Sequence, residues 1–152
     1  MPLPVPLRRL VYRCAYAVLR VLWFLRRPRT RGVKCLLWDE GRVLLVRHTY
    51  GSWRWDVPGG GLHGGEAPAI AAHREMQEEL GLGGLEWVPL GSVRSHVDHR
   101  QDTLHCFVHR GPGGPLTVDR GEIAEVRWFP VDELPSPRAP HVEAIVRLAQ
   151  LA

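Results

Sequence analysis

A glycine-rich turn that leads directly into an acidic helix, residues 60–82, constrains this chain more than any other stretch. Pro68 suits the first turn of a helix, where its missing N–H costs little, and Gly81 suits the left-handed residue that ends one. Between them, apolar residues recur at helical spacing and predict the buried stripe: Ala69, Ala72, Met76 and Leu80. The pattern therefore predicts one amphipathic helix packed on a core.

Three glutamates of this helix, Glu75, Glu78 and Glu79, fall on one patch roughly 110° from that stripe. Like charges so placed repel one another, and a helix selected for stability alone would spread them or pair them with lysines. One interpretation is an ordinary solvated acidic face. The other is a site for Mg²⁺ or Mn²⁺, because these ions prefer hard oxygen ligands.

The spacing of the whole stretch favours the metal interpretation. Gly60, Glu66 and the run Arg74–Leu82 match, at all nine specified positions, the pattern G, five residues, E, seven residues, R-E-U-x-E-E-x-G-U, in which U is bulky and aliphatic. The stretch resembles the Nudix box, and the run Trp55–Gly60 resembles the usual entry to that box. The resemblance extends over about residues 31–151.

The resemblance implies an α/β fold, a Nudix-like α/β/α sandwich around a mixed sheet. It also implies a metal-dependent hydrolase that cleaves the pyrophosphate bond of a nucleoside diphosphate linked to another group. In such a site Glu66 would support the loop or a second ion, and Arg74 would orient Glu75 or Glu78. The ligands implied for Mg²⁺ (or Mn²⁺) are the backbone carbonyl of Gly59 and the side chains of Glu75, Glu78 and Glu79.

A further glutamate is implied near the end of the chain, where the run Glu125–Pro135 resembles the closing strand and turn of the family. Nudix sequences often place a metal-binding or catalytic glutamate just before this strand, and Glu122 is the best match, followed by Glu125. A solvated loop carboxylate is the alternative for either residue. The base that deprotonates the attacking water is then Glu75 or Glu122, and the sequence leaves that choice open.

The substrate is open as well. Some Nudix subfamilies carry a marker downstream of the box, a proline in ADP-sugar hydrolases and a tyrosine in dinucleoside polyphosphate hydrolases. At the corresponding positions this chain has residues 97–100, Val-Asp-His-Arg, and neither marker is present. Two alternatives to a nucleotide hydrolase remain. The domain is a catalytically silent nucleotide-binding regulator, or it is a membrane-peripheral hydrolase of lipid-linked diphosphates.

The overall charge does not indicate nucleic-acid binding. Of the net +4, residues 1–38 contribute nine basic and no acidic side chains, whereas residues 39–152 hold eleven basic and sixteen acidic ones. Because the body is acidic, we expect no specific nucleic-acid partner, and the resemblance implies a small-molecule substrate. The three scattered cysteines favour a reducing compartment, so we expect a cytoplasmic protein, with peripheral contact at the inner face of the membrane as an alternative.

The basic arm, residues 1–30, precedes a hydrolase domain of residues 31–152 and contains one predicted helix, residues 7–27. Arginines interrupt its apolar stretches, which argues against a membrane span, and it lacks the uncharged core of a signal peptide. Two interpretations remain. The helix lies in a membrane interface with Trp23, Phe24 and Leu25 inserted, or it packs on the domain or on a second subunit.

Alternation and turn residues predict the remaining elements. Residues 95–102 form a polar loop, for which a zinc site through its histidines and contact with substrate are the two functional hypotheses. Trp55 is expected in the core, and Trp53 either packs or stacks on a base. A glycine-proline turn is predicted at residues 111–115 and a final helix at 139–151. Strands are predicted at residues 33–38, 42–47, 53–57, 85–90, 103–108 and 122–130.

Overall fold

The computed structural model of the protein describes residues 2–152. Over these residues it has three helices and six strands: α1 Val5–Arg26, β1 Arg29–Asp39, β2 Arg42–His48, β3 Gly59–Gly61, α2 Pro68–Leu80, β4 Val88–Val97, β5 Arg100–Arg110, β6 Ile123–Pro130 and α3 Val142–Leu151. Within the described part of the chain, no helix is long and apolar enough to cross a membrane.

One mixed sheet carries the fold, with strand order β4-β5-β1-β2-β6. The central strand β1 runs parallel to β5 and antiparallel to β2, and its first half pairs antiparallel with β3. Residues 32–37 of β1 are all buried, because both faces of the strand are covered. The β1–β3 pairing, Lys34 with Gly59 and Val33 with Gly60, holds the glycine turn against the middle of the sheet.

Two cores lie on opposite faces of the sheet, and the side chains of β1 alternate between them. Cys35 and Leu37 pack with Met76 of α2, while Leu36 packs with Ile145 of α3. The predicted α/β/α sandwich is therefore confirmed. The hairpin of β1 and β2, the closing strand β6 and the C-terminal helix α3 also lie where the sequence placed them, with α3 three residues shorter at its start.

The acidic helix α2 begins and ends as predicted, with Pro68 in its first turn and Gly81 as a left-handed cap at φ 66°. Its buried face is rotated from the prediction, because Ala69 is exposed and Ala71 is buried beside Ala72. The shift brings Glu75 and Glu79 to the buried side as well.

Two other predictions were wrong. The polar loop at residues 95–102 is a hairpin: β4 and β5 pair up to Val97 and Arg100, and only two residues form the turn. Asp98 and His99 adopt φ of 50° and 66° there, the left-handed pair that suits the twist of a tight hairpin. The short strand at residues 53–57 reduces to isolated bridges at Trp55 and Asp56.

Helix α1 packs along one side of the domain, as one of the two interpretations expected. Near its start Arg8 forms an ion pair with Asp119, and further along Arg20 lies 3.5 Å from Asp98. Trp23, which the membrane interpretation expected to insert, lies instead under the guanidinium of Arg100, 4.0 Å from its ring centroid. No residue of α1 is fully buried.

Candidate active site

The glycine turn and α2 are joined by a buried glutamate. The backbone N–H of Gly59 donates to Oε2 of Glu79 at 3.1 Å, and Glu79 is only 1% exposed. Gly59 has a φ of 152°, and a Cβ there would overlap the carbonyl of Val33. Only glycine therefore lets this backbone lie against β1 and present its N–H to the helix.

Arg74 connects the loop to the helix. Its Nε and Nη2 donate to both carboxylate oxygens of Glu66 at 2.9 and 2.8 Å, and Nη2 also donates to the carbonyl of Gly61 at 2.9 Å. Its Nη1 donates to Glu75 at 2.7 Å and lies 3.4 Å from Glu78. This two-pronged geometry requires the planar guanidinium. The hydrogen bonds from Arg74 lower the pKa of Glu66 to about 2, so Glu66 is a charged anchor of the loop.

The three box glutamates differ in their surroundings. The carboxylate of Glu75 lies against Gly60, where a Cβ would come within 2.5 Å of it. Burial raises the pKa of Glu75 despite the hydrogen bond from Arg74, and the charges of Glu79 and Glu78 add to the increase. The side chain of Glu78 is 58% exposed. The interpretation as a uniformly solvated acidic face is therefore wrong.

Glu122, the further glutamate predicted near the end of the chain, lies close to α2. Strand pairing of β2 with β6 sets His48 opposite Ile123, and Glu122 immediately precedes it. Ligand atoms of His48, Glu79 and Glu122 lie within 4.8 Å of one another. The hydroxyl of Tyr50 donates to Oε1 of Glu122 at 3.0 Å. Burial and then the charge of Glu79 raise the pKa of Glu122 to about 7.

These donors suit a divalent cation. Buried or half-buried carboxylates with raised pKa values are held close together at the cost of mutual repulsion, and a cation between them would remove that cost. Carboxylate oxygens are the ligands that Mg²⁺ and Mn²⁺ prefer, and the imidazole of His48 lies beside them, with Nε2 at 3.4 Å from Oε1 of Glu79. His48 was missed by the sequence reasoning. Its only signal is its place at the end of β2, two residues after the apolar run Val43–Val46, on the strand that pairs with the closing strand.

The other expected site residues lie apart from this cluster. Glu125 lies 3.7 Å from Arg47 and 4.0 Å from Arg127, so it belongs to a surface ion-pair group. Within residues 2–152, the histidines at positions 96 and 99 join no group of converging metal ligands, so nothing in the fold supports the zinc hypothesis. Trp55 is buried in the core as predicted, whereas Trp53 is 49% exposed.

A cavity of about 800 Å³ opens beside the cluster and includes His48, Gly59 and Gly60 in its lining. Lys34, Asp56 and His141 form one wall, where Asp56 accepts hydrogen bonds from Lys34 Nζ at 2.8 Å and from His141 Nε2 at 2.7 Å. Burial opposes the charge of Asp56, but Lys34 and His141 outweigh it and lower its pKa. Residues of α1 also line the cavity.

Comparison with known proteins agrees with this geometry. The family model of the NUDIX domain matches residues 28–149. A putative mutator protein MutT4 of Mycobacterium tuberculosis is 37% identical over 129 residues, 82% of this chain and 48% of that protein. An ADP-ribose pyrophosphatase of the same species is 29% identical over 102 residues, 62% of this chain and 49% of that protein. This chain thus spans about half the length of these relatives.

A solved structure shows the same fold. The crystal structure of a MutT NUDIX hydrolase from Burkholderia pseudomallei superposes with a TM-score of 0.72 at 22% identity, covering 79% of this chain and 97% of that one. With the family match over most of its length, the intact box and the sandwich fold, the chain belongs to the Nudix family.

Proposed function

We propose that this domain is a metal-dependent pyrophosphohydrolase that cleaves a nucleoside diphosphate linked to another group. The observation that carries the proposal is the convergence of Glu79, Glu122 and His48 beside the cavity, with Glu75 held by Arg74 next to it. A matched relative that is an ADP-ribose pyrophosphatase supports this substrate class.

The residues that would hold Mg²⁺ or Mn²⁺ are the carbonyl of Gly59 and the side chains of Glu75, Glu78 and Glu79, with Glu122 and His48 within reach of Glu79. When bound, the cation neutralises phosphate oxygens and makes a water molecule more acidic.

The protein side chains then have separate tasks. Arg74 keeps Glu75 in place, and its simultaneous grip on Glu66 holds the loop against the helix. Glu122 accepts the proton of the attacking water, with Glu75 as the alternative acceptor. Glu122 suits the task because it is half-buried beside Glu79, with its hydrogen bond from Tyr50 on one oxygen. Water then attacks phosphorus, and the other phosphate leaves in line.

The test is a panel of nucleoside diphosphate derivatives incubated with Mg²⁺, with released phosphate or nucleotide measured for four proteins. These are the wild type, Glu122→Gln, Glu75→Gln and the control Glu125→Gln. We expect Glu122→Gln to lower kcat by about 10²- to 10⁴-fold, the range for a general base. Glu125→Gln should match the wild type, because Glu125 contacts arginines outside the cluster.

Two results would contradict this proposal. A wild-type kcat in Glu122→Gln, together with a large loss of kcat in Glu75→Gln, would show that Glu75 and not Glu122 is the general base. If the protein binds nucleotides but hydrolyses no diphosphate in the panel, the proposed enzyme activity is wrong and the domain is a nucleotide-binding regulator.

A further inference from the structure

Helix α1 lies outside the matched family region, which begins at residue 28, yet it lines the cavity beside the site. Five of its residues face the cavity: Tyr12, Ala15, Tyr16, Leu19 and Trp23. We propose that α1 is part of the substrate-binding site and contacts the aromatic base of the nucleotide. The proposal rests on the function proposed above for the identity of the ligand.

The helix is held in this position by specific polar contacts. At its start Arg8 pairs with Asp119, and Nε of Arg9 donates to the carbonyl of Arg120 at 3.0 Å. In its second half the hydroxyl of Tyr16 donates to Asp98 at the tip of the β4–β5 hairpin. These contacts join α1 to two separate loops of the domain, so its inner face is a fixed wall of the cavity.

The wall is aromatic and continuous with the site. Tyr12 stacks on Tyr50 with ring centroids 5.8 Å apart, and Tyr16 lies 5.1 Å from the same ring. Tyr50 is the residue whose hydroxyl donates to Glu122. The cavity therefore extends from His48 and Tyr50, which border the carboxylate cluster, to the aromatic face of α1.

The chemistry of this wall suits a planar aromatic ligand. Nucleobases bind by stacking on aromatic rings and guanidinium planes, and Trp23 with Arg100 offers both. Trp53, half-exposed in the lining of the same cavity, offers a further ring. A base bound here would leave its phosphates toward the glycine turn and α2.

Two alanines of α1 offer a matched test. Ala15 lines the cavity, whereas Ala17 is two residues further, about 200° round the helix, and is exposed outside the cavity. Ala15→Trp should fill the space for the base, and Ala17→Trp makes the same change on the other side. We expect Ala15→Trp to raise KM at least tenfold with little change in kcat, and Ala17→Trp to match the wild type. Trp23→Ala should raise KM by roughly 5- to 100-fold, the range for loss of one base stack.

A binding assay separates this inference from the proposed function. The dissociation constant of ADP is measured by calorimetry for the same full-length proteins, and tryptic cleavage in α1 checks that the helix stays docked. ADP binding weakened by Ala15→Trp and Trp23→Ala supports the inference even if no diphosphate is hydrolysed. Hydrolysis by the wild type together with unchanged ADP affinity and KM in both variants would refute it and leave the enzyme proposal intact.

The outer face of α1 is a separate observation. It carries an exposed stripe without any charged residue that includes Leu10, Val11, Val18, Val21, Leu22 and Leu25. Arg13, Arg26 and Arg27 are exposed elsewhere on the helix or at its end, and residues 1–38 contain no acidic side chain.

We infer that this stripe binds an anionic lipid surface. Apolar side chains enter the interface of a bilayer while flanking arginines meet acidic headgroups. A second copy of the chain is a poorer partner, because antiparallel helices would bring arginines together without acidic residues on α1 to compensate.

Vesicle flotation of the full chain tests this second inference. We expect binding to phosphatidylglycerol-containing vesicles that high salt weakens, loss of binding in Val18→Glu, and retention in Leu151→Glu, which adds the same charge on the exposed end of α3. Absence of binding by the wild type, equal binding by Val18→Glu, or a solution dimer that Val18→Glu dissociates would overturn it.

Discussion

Replacing Gly60 with alanine places a methyl group where the carboxylate of Glu75 now lies. The added Cβ would come within 2.5 Å of the carboxylate carbon and of Oε1, whereas ordinary contacts begin at 3.4 Å. Gly60 does not adopt a left-handed φ, so the substitution adds little backbone strain. The neighbouring Gly61 is the matched control, because a Cβ there meets nothing within 4 Å.

The size of the effect follows from the displacement. Glu75 must move by about 0.9 Å, and Arg74, which donates to it at 2.7 Å, resists the movement. A misplacement of about 1 Å in a catalytic site costs roughly 10²-fold in rate, or about 2.7 kcal/mol of transition-state stabilisation. We therefore expect Gly60→Ala to lower kcat about a hundredfold and Gly61→Ala to change it less than threefold.

The assay is Mg²⁺-dependent hydrolysis of the best diphosphate substrate, measured as kcat and KM, with thermal unfolding recorded for both variants. If Gly60→Ala is folded and as active as Gly61→Ala, the position of the Glu75 carboxylate does not matter for turnover, and the roles proposed for Glu75 and Arg74 are wrong.

Three further predictions concern the carboxylate cluster. Glu78→Gln should lower kcat by about two to three orders of magnitude, the approximate cost of losing one electrostatic group in such a site. The melting temperature should not fall, because the Glu78 side chain is exposed. Near-wild-type turnover would exclude Glu78 as a metal ligand. Arg74→Lys should lower kcat roughly 10- to 100-fold, because lysine cannot grip Glu66 and Glu75 together; full activity would show that the two-pronged contact is dispensable. The pKa of Glu122 is raised from 4.5 to about 7 in the folded protein, so its ionisation destabilises the fold in full above about pH 7, and this cost declines to zero as the pH falls from 7 to 4.5. Glu122→Gln should therefore melt at a higher temperature than the wild type at about pH 8, with the gain lost near pH 5; an equal gain at both pH values would assign it to another cause.

The sequence determined the box and the elements around it. Hydrophobic spacing, Pro68 and Gly81 defined α2, and residues 33–47 predicted the hairpin of β1 and β2, whereas the sandwich was implied by the resemblance to the family. These features are local, since propensity, turn chemistry and periodicity act over a few neighbouring residues. Fixed spacing of Gly60, Glu66 and the final run was enough to indicate the family.

Only the tertiary structure decided how the glutamates differ and which distant residues join them. Glu75 and Glu79 are buried because the face of α2 that meets the sheet includes Ala71 and not the predicted Ala69. Which face meets the sheet depends on the sheet beneath the helix. His48 reached Glu122 through the pairing of β2 with β6, and α1 reached the cavity through contacts with Asp119 and Asp98. Contacts between residues so far apart in the chain leave no local pattern, because strand pairing and helix docking are set by the whole packed core.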